Sequence, residues 1–289
     1  MSQAPAPSAA GLTLLGCDFT SAPTRRKPIT LAVGRLDRGR VTLAGLEAHD
    51  SLDAWTGRLR APGPWLGGFD LPFGLPRELV VSLGWPTDWA ACLDHYASLP
   101  RAAIRDAFAA FCAGRPVGGK FAHRATDGPA GSSPSMKWVN PPVAFMLHAG
   151  VPRLRAAGVT LAGVGSPVPG DPDRVALEAY PGLLARSVLG NTSYKSDDRS
   201  RQTPDRLIAR KTLIHALESG DAPRLREAGL RLRLSHAQRD ALADDPSGDR
   251  LDAVLCLLQA AWAQVQRERG HPRWGLPDAD PLEGWIVTA

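Results

Sequence analysis

The sequence predicts an α/β domain with a sheet at its centre, and three observations carry that prediction. Short apolar runs and one amphipathic stretch follow each other as β-β-β-α-β over residues 12–71. From there to about residue 165 the apolar spacing turns helical and then dissolves into a stretch rich in Gly, Ser and Pro, the pattern of an insertion. A long amphipathic helix closes the chain.

Residues 12–19 read as a buried strand. Residues 29–36 and 40–48 form a hairpin through Asp37-Arg38-Gly39, a link as short and glycine-bearing as a hairpin requires. Residues 51–59 are a helix, and residues 65–71 the next buried strand. The insertion covers about 77–165, with helices at 87–99 and 100–112 and an irregular run over 114–142. An irregular run of that length inside a domain points to function more than to scaffolding. Residues 174–179 are a strand ended by Tyr180-Pro181-Gly182, with a helix from 182 to 189. Thr203-Pro204-Asp205 supplies an N-cap, a first-turn proline and a favourable acid. Leu207, Ile208, Leu213, Ile214 and Leu217 follow as an apolar stripe closed by Gly220. A short helix over 235–243 precedes Ser247, the expected N-cap of the last helix, which stops at Gly270. Its buried stripe is Leu251, Val254, Leu255, Leu258, Trp262 and Val265. Residues 1–11 read as a flexible tail and 12–287 as a single domain.

A chain of 289 residues with 44% apolar content can bury a full core without disulfide staples. Cys17, Cys92, Cys112 and Cys256 are scattered, with neither a Cys-x-x-Cys pair nor zinc spacing, so they read as small buried hydrophobes in a reducing compartment. The first residues have neither a basic start nor an apolar core, which excludes a signal peptide reading, and no uncharged apolar stretch approaches the ~18 residues of a membrane span. A cytoplasmic location and no membrane partner are expected. A net charge of +5 and a pI near 9.3 favour a polyanionic partner. Within 115–137, Arg115, Lys120, Arg124 and Lys137 face one acid, Asp127. The seven histidines show no catalytic or metal spacing, and no Gly-x-Ser-x-Gly elbow occurs.

Four acids end or interrupt apolar segments: Asp18, Asp70, Glu178 and Asp252. Asp249 stands three residues before Asp252, one row along the same helix, with Cys256 and Gln259 extending that row. Four have an ordinary explanation alone: an Asx turn for Asp18, a turn for Asp70, an exposed strand face for Glu178, a helix dipole for Asp249; Asp252, wedged between Leu251 and Ala253 at the rim of the apolar face, is harder to explain that way. Their order is what informs, because desolvating carboxylates without partners is costly and converging ones call for a hard cation such as Mg²⁺ or Mn²⁺.

The segments Gly16-Cys17-Asp18-Phe19-Thr20-Ser21, Gly68-Phe69-Asp70-Leu71-Pro72-Phe73-Gly74-Leu75-Pro76, Leu177-Glu178-Ala179-Tyr180-Pro181, Asp249-Arg250-Leu251-Asp252-Ala253 and Glu283-Gly284-Trp285-Ile286 resemble the family called domain of unknown function 429, regarded as a predicted nuclease. The resemblance runs from about residue 12 to 287. It implies a ribonuclease H-like fold, a mixed five-stranded sheet flanked by helices with the first and fourth strands adjacent and parallel, and the last helix packed across them. It implies a metal-dependent nuclease working through two ions, Mg²⁺ or Mn²⁺. Catalysis would fall to Asp18, Asp70, Glu178 and Asp252, metal binding to these and Asp249. Position 70 is an aspartate where much of that superfamily has glutamate, which leaves Asp70 and Glu178 as alternatives for the second core ligand.

Lys120, Arg124, Lys137 and Lys195 are the candidates for holding a nucleic-acid backbone, since phosphate contacts orient without reading sequence. Lys137-Trp138 and Tyr194-Lys195 each set an aromatic beside a cation, a pairing suited to stacking a base, although Trp138 is better read as a packing residue. Two other readings stand: a non-catalytic nucleic-acid or protein-binding module on the same fold, and an actin-like or sugar-kinase-type phosphotransferase. The latter lacks the glycine-rich phosphate loop after Asp18. A homodimer is compatible with the sequence.

Overall fold

In the computed structural model the chain opens with β1 (Thr13–Asp18), β2 (Ile29–Asp37), β3 (Arg40–His49), α1 (Leu52–Leu59) and β4 (Trp65–Asp70), the predicted β-β-β-α-β order. The structure describes residues 11–165 and 171–289; residues 1–10, most of the expected tail, lie outside them. Next come α2 (Arg77–Ser82), α3 (Trp89–Ser98), α4 (Arg101–Ala113), α5 (Asp127–Ala130), α6 (Val143–Ala156), β5 (Val159–Leu161) and β6 (Asp171–Glu178). The last part holds α7 (Pro181–Leu189), α8 (Pro204–Ser219), α9 (Pro223–Ala228), β7 (Arg231–Arg233), α10 (His236–Ala243) and α11 (Asp249–Glu268).

The sheet is mixed, in the order β5-β6-β4-β1-β2-β3-β7. β1, β2 and β3 are antiparallel, whereas β4 lies parallel to β1 and β6 parallel to β4. Among the described residues seven strands stand in the sheet where five were expected. The two additions, β5 beside β6 and β7 beside β3, are three-residue edge strands, and β5 comes from the last residues of the stretch read as an insertion. At the β2–β3 turn both Arg38 (φ 47°) and Gly39 (φ 76°) are left-handed, as a two-residue hairpin link needs.

Strand periodicity divides the domain into two layers. Leu14, Leu66, Val175 and Leu177 face α11 and the helices beside it; Leu15, Cys17, Phe69 and Ala176 face the insertion, whose Tyr96, Ile104, Phe108 and Leu147 complete a second core. In α11, Leu251, Val254, Leu255 and Leu258 are fully buried, each contributing about 1.5–3 kcal/mol of transfer free energy. The glycines of β1 and β4 admit that helix at backbone range. A Cβ on Gly16 would stand 2.1 Å from Ala253 O, and one on Gly68 2.4 Å from Cys256 O.

Three local expectations change. The N-cap of α11 is Gly248, left-handed at φ 79°, while Ser247 accepts a long bond from the Asp249 N–H at 3.4 Å. Thr203 holds the N-cap position of α8 without a side-chain bond, and Ile208, placed in that helix's buried stripe, is exposed.

Candidate functional site

Asp18 ends β1, Asp70 ends β4, and in this parallel pair they are direct register partners. Both follow the parity of Leu14, Gly16, Leu66 and Gly68, so they stand on the α11 side of the sheet. The close approach of α11 over those glycines brings Asp249 and Asp252 of its first turn to the same end. Asp252 is fully buried; the other three acids are partly exposed.

Their electrostatics are those of like charges held together. Burial, then the carboxylates of Asp252 and Asp249, push Asp18 well above the ordinary range. Burial and Asp252 push Asp70 up to about 7, against the pull of Lys195. Asp249 is raised too, chiefly by burial, with Lys27 opposing.

Asp252 already has partners. Tyr194 O–H donates to its Oδ1 and the Lys195 ammonium pairs with its Oδ2. The segment carrying both is pinned from behind: Arg210 donates to Tyr194 O at 2.8 Å, Arg206 to Lys195 O at 2.9 Å, and Ser196 N–H to Pro246 O at 3.0 Å. Lys195, expected from the sequence to meet a phosphate, pairs with an acid of the cluster while its partly exposed side chain lines the clefts beside it. Tyr194 is buried, which removes it as a stacking platform.

Glu178 leaves its strand on the other face, although it lines a cleft with Asp70 and its charge adds to the upward push on Asp70. Its register partner is Phe69, one residue before Asp70, so it points to the opposite face of the sheet. There it is 2% exposed and held by Arg124, whose Nη1 and Nη2 reach its two oxygens at 2.8 and 2.7 Å, and by Phe73 N–H at 2.9 Å. Arg124 also pairs with Asp127 at 3.0 Å and donates to Glu283 O at 3.1 Å. Buried and saturated, this arginine holds the 114–142 loop onto the end of the sheet instead of presenting itself to a phosphate. Between Asp70 and Glu178, only Asp70 shares the face of Asp18.

Glu283 fixes the same loop from the C-terminal side, its carboxylate accepting Arg77 N–H at 2.8 Å and Ala125 N–H at 2.9 Å. Thr126 Oγ1 accepts Ile286 N–H at 3.0 Å, and Val287 N–H donates to Glu178 O at 2.9 Å. The Glu283-Gly284-Trp285-Ile286 motif is thus a clamp on the loop. Gln259, next along the row from Asp252 and Cys256, accepts Tyr180 N–H and donates to Val287 O.

Three clefts meet at the acids, and Lys195 lines all of them. One of about 580 Å³ runs past Asp18, Thr20, Lys27, Asp197 and Asp249. A second, about 220 Å³, lies between Asp70 and a more apolar wall of Leu71, Pro72, Val143 and Met146. The third, about 290 Å³, leads from Asp70 past Tyr180 and Arg186. Lys120 and Lys137 line none of these three, and Trp138 packs edge-on against Phe121, ring centroids 5.7 Å apart. Lys27 was missed in the sequence, although Arg25-Arg26-Lys27 follows Asp18 by a few residues; its ammonium pairs with Asp197 at 2.7 Å.

The donors at the cleft are carboxylate oxygens, which suit a hard cation. Among the described residues, no three His, Cys, Asp or Glu side chains converge closely enough to hold a metal ion as they stand. Asp18, Asp70 and Asp249 suit such an ion in kind and stand at one end of the sheet, but not at ligand spacing. Asp252 and Glu178 are each already paired with a cation, Lys195 and Arg124. No helix among the described residues is long and apolar enough to cross a membrane. No protein-family model matches the chain, nor does any curated protein or solved structure.

Proposed function

We propose that the chain is a cation-dependent phosphodiester hydrolase acting on nucleic acid, a nuclease on a ribonuclease H-like scaffold, as its resemblance to domain of unknown function 429 implies. The observation that supports this most is the pairing of Asp18 with Asp70 at the ends of two adjacent parallel strands, with Asp249 and Asp252 delivered to the same end by one crossing helix. Strand order β3-β2-β1-β4-β6 also agrees with it.

A phosphate does not approach such a cluster unaided, because its charge repeats that of the acids. In this reading Asp18 and Asp70, with Asp249, hold a divalent cation, Mg²⁺ or Mn²⁺, which when bound neutralises phosphate charge and acidifies a water. Lys27 and Lys195 border the cleft where a phosphodiester chain would lie.

The test is cleavage of end-labelled single-stranded, duplex, RNA-hybrid and branched substrates with Mg²⁺, Mn²⁺ or chelator. Cutting that needs the ion and disappears in both Asp18→Asn and Asp70→Asn is the expected result. Folded wild-type protein that cuts none of these would overturn the reading.

A further inference from the structure

At the β7 edge of the sheet, arginines from three strands share one face. Arg231 stands opposite Arg40 of β3, itself opposite Asp37 of β2; Arg233 stands opposite Thr42, and Thr42 opposite Arg35. Their strand neighbours Leu232, Val41 and Gly34 turn to the α11 side, so Arg35, Arg40, Arg231 and Arg233 all project from the other side. Arg38 in the β2–β3 turn adds a fifth, and all five are exposed. None of the five meets a carboxylate among the described residues, whereas Arg58 pairs with Glu47 at 2.9 Å, Arg226 with Asp221 at 3.2 Å and Arg239 with Glu218 at 2.8 Å. Strands lie about 4.8 Å apart and same-face residues about 6.6 Å apart along a strand, so the four strand arginines occupy a patch of roughly 10 by 7 Å. Like charges directly opposite each other destabilise a sheet, and Arg40 faces Arg231; an anion over the face relieves that repulsion. Arginine on β7 alone would serve to blunt the sheet edge, but Arg35 lies two strands in from that edge.

We infer that this face is a docking surface for a nucleic-acid duplex, held by its phosphates without readout of sequence and separate from the cleft at the acids. Guanidinium forks match phosphate oxygens, and a duplex offers about one negative charge per 1.7 Å of axis. β1, β2, β3 and β7 contain no Phe, Trp or Tyr, so the face has no platform on which to stack an unpaired base. The exposed large apolar residues Val81, Val117, Val139 and Ile208 lie on none of these strands, so nothing on the face enters lipid. Arg35 pairs with Thr13, at the far end of β1 from Asp18, which puts the patch about 17 Å along the strand from the acids and on the opposite face of the sheet. A backbone lying here is anchored out of reach of the acids, and its binding needs no chemistry from them.

The experiment measures binding of a fluorescent DNA duplex of mixed sequence by anisotropy, in chelator, over a series of NaCl concentrations. The proteins are wild type, Arg35→Gln/Arg40→Gln, Arg231→Gln/Arg233→Gln, Arg35→Lys/Arg40→Lys, and Arg105→Gln/Lys120→Gln, which removes two exposed charges from the insertion; circular dichroism reports the fold. Each glutamine pair on the face should lower the slope of log affinity against log salt by about 1.8, the share of two phosphate contacts, and by the same amount for an unrelated duplex sequence. The lysine pair and the insertion pair should keep the wild-type slope. A wild type that does not bind the duplex, face variants with the wild-type slope, or an insertion pair that lowers the slope as much would overturn the assignment. So would face variants that lose binding to phosphatidylserine vesicles while holding the duplex as wild type does. Cleavage by a protein whose face variants bind normally removes this surface and leaves the nuclease reading; binding through these arginines by a protein that cuts nothing does the reverse.

Discussion

Gly16 and Gly68 are register partners on β1 and β4, and together they form the bare strip of sheet on which α11 rests. The acids two residues further on, Asp18 and Asp70, meet Asp249 and Asp252 because the helix can come that close. At Gly16 a methyl group would stand 2.1 Å from Ala253 O and 2.2 Å from Leu257 N, backbone atoms that cannot step aside as a side chain can. Gly16→Ala is expected to cost roughly 3 kcal/mol, at the upper end of overpacking effects, with a lower urea midpoint. An unchanged midpoint would show that the helix does not sit where the distances put it.

Arg124 and Glu178 give the second prediction. Removing the arginine strands a buried carboxylate, so Arg124→Met should lose about 3–5 kcal/mol of stability, read by chemical denaturation. Glu178→Gln, provided it folds, should bind Mn²⁺ as wild type does, because the side chain lies across the sheet from Asp18 and Asp70. Loss of Mn²⁺ binding in folded Glu178→Gln would return this residue to the ligand set.

The contrast between Asp70 and Glu178 also shows where the sequence is informative. Apolar runs and turn residues gave β1, the β2–β3 hairpin, α1, β4 and α11, since each has a period that burial imposes on it. β5 and β7 have three residues apiece, too few to carry a period, and exist because a neighbouring strand offers its edge. Asp18, Asp70, Asp249 and Asp252 could be picked out by their order along the chain. Glu178 looked equivalent, but a shift of one residue in register moves a side chain to the other face, and register is a property of the pair of strands. The buried pairing of Arg124 with Glu178 was hidden for a related reason: a cation in an irregular segment looks the same whether it meets water or a carboxylate distant in sequence.

Lys27 replaces Lys120 as the cation expected to matter for a polyanion. It lines the same cleft as Asp18 and Asp249, while Lys120 is exposed outside the three clefts at the acids. Lys27→Met should weaken binding of a single-stranded oligonucleotide in chelator and lower the slope of log affinity against log salt by about 0.7, the share of one phosphate contact. Lys120→Met should leave that slope unchanged. The reverse ranking would move the substrate track to the insertion loop.

The acid cluster also sets a pH dependence whose sign is opposite to that of a salt-bridged carboxylate. Asp70 is raised to about 7 from an ordinary value of 3.8, so between these limits the folded chain holds a proton more tightly than the unfolded one. Its contribution to stability is therefore greatest below pH 4, declines as pH rises towards 7 and is level above that; Asp18 and Asp249, also raised, act in the same direction. Each pH unit across the window corresponds to about 1.4 kcal/mol for one group at full effect. Asp70→Asn removes this dependence, so in chelator the variant should gain stability on wild type between pH 5 and pH 8, measured as urea midpoints. Adding Mg²⁺ should stabilise wild type more at pH 8 than at pH 5, because the ion binds the deprotonated carboxylates, and stabilise Asp70→Asn less. A variant that tracks wild type across the whole range would mean that Asp70 is ionised without strain, and that the cation requirement has been placed on the wrong residue.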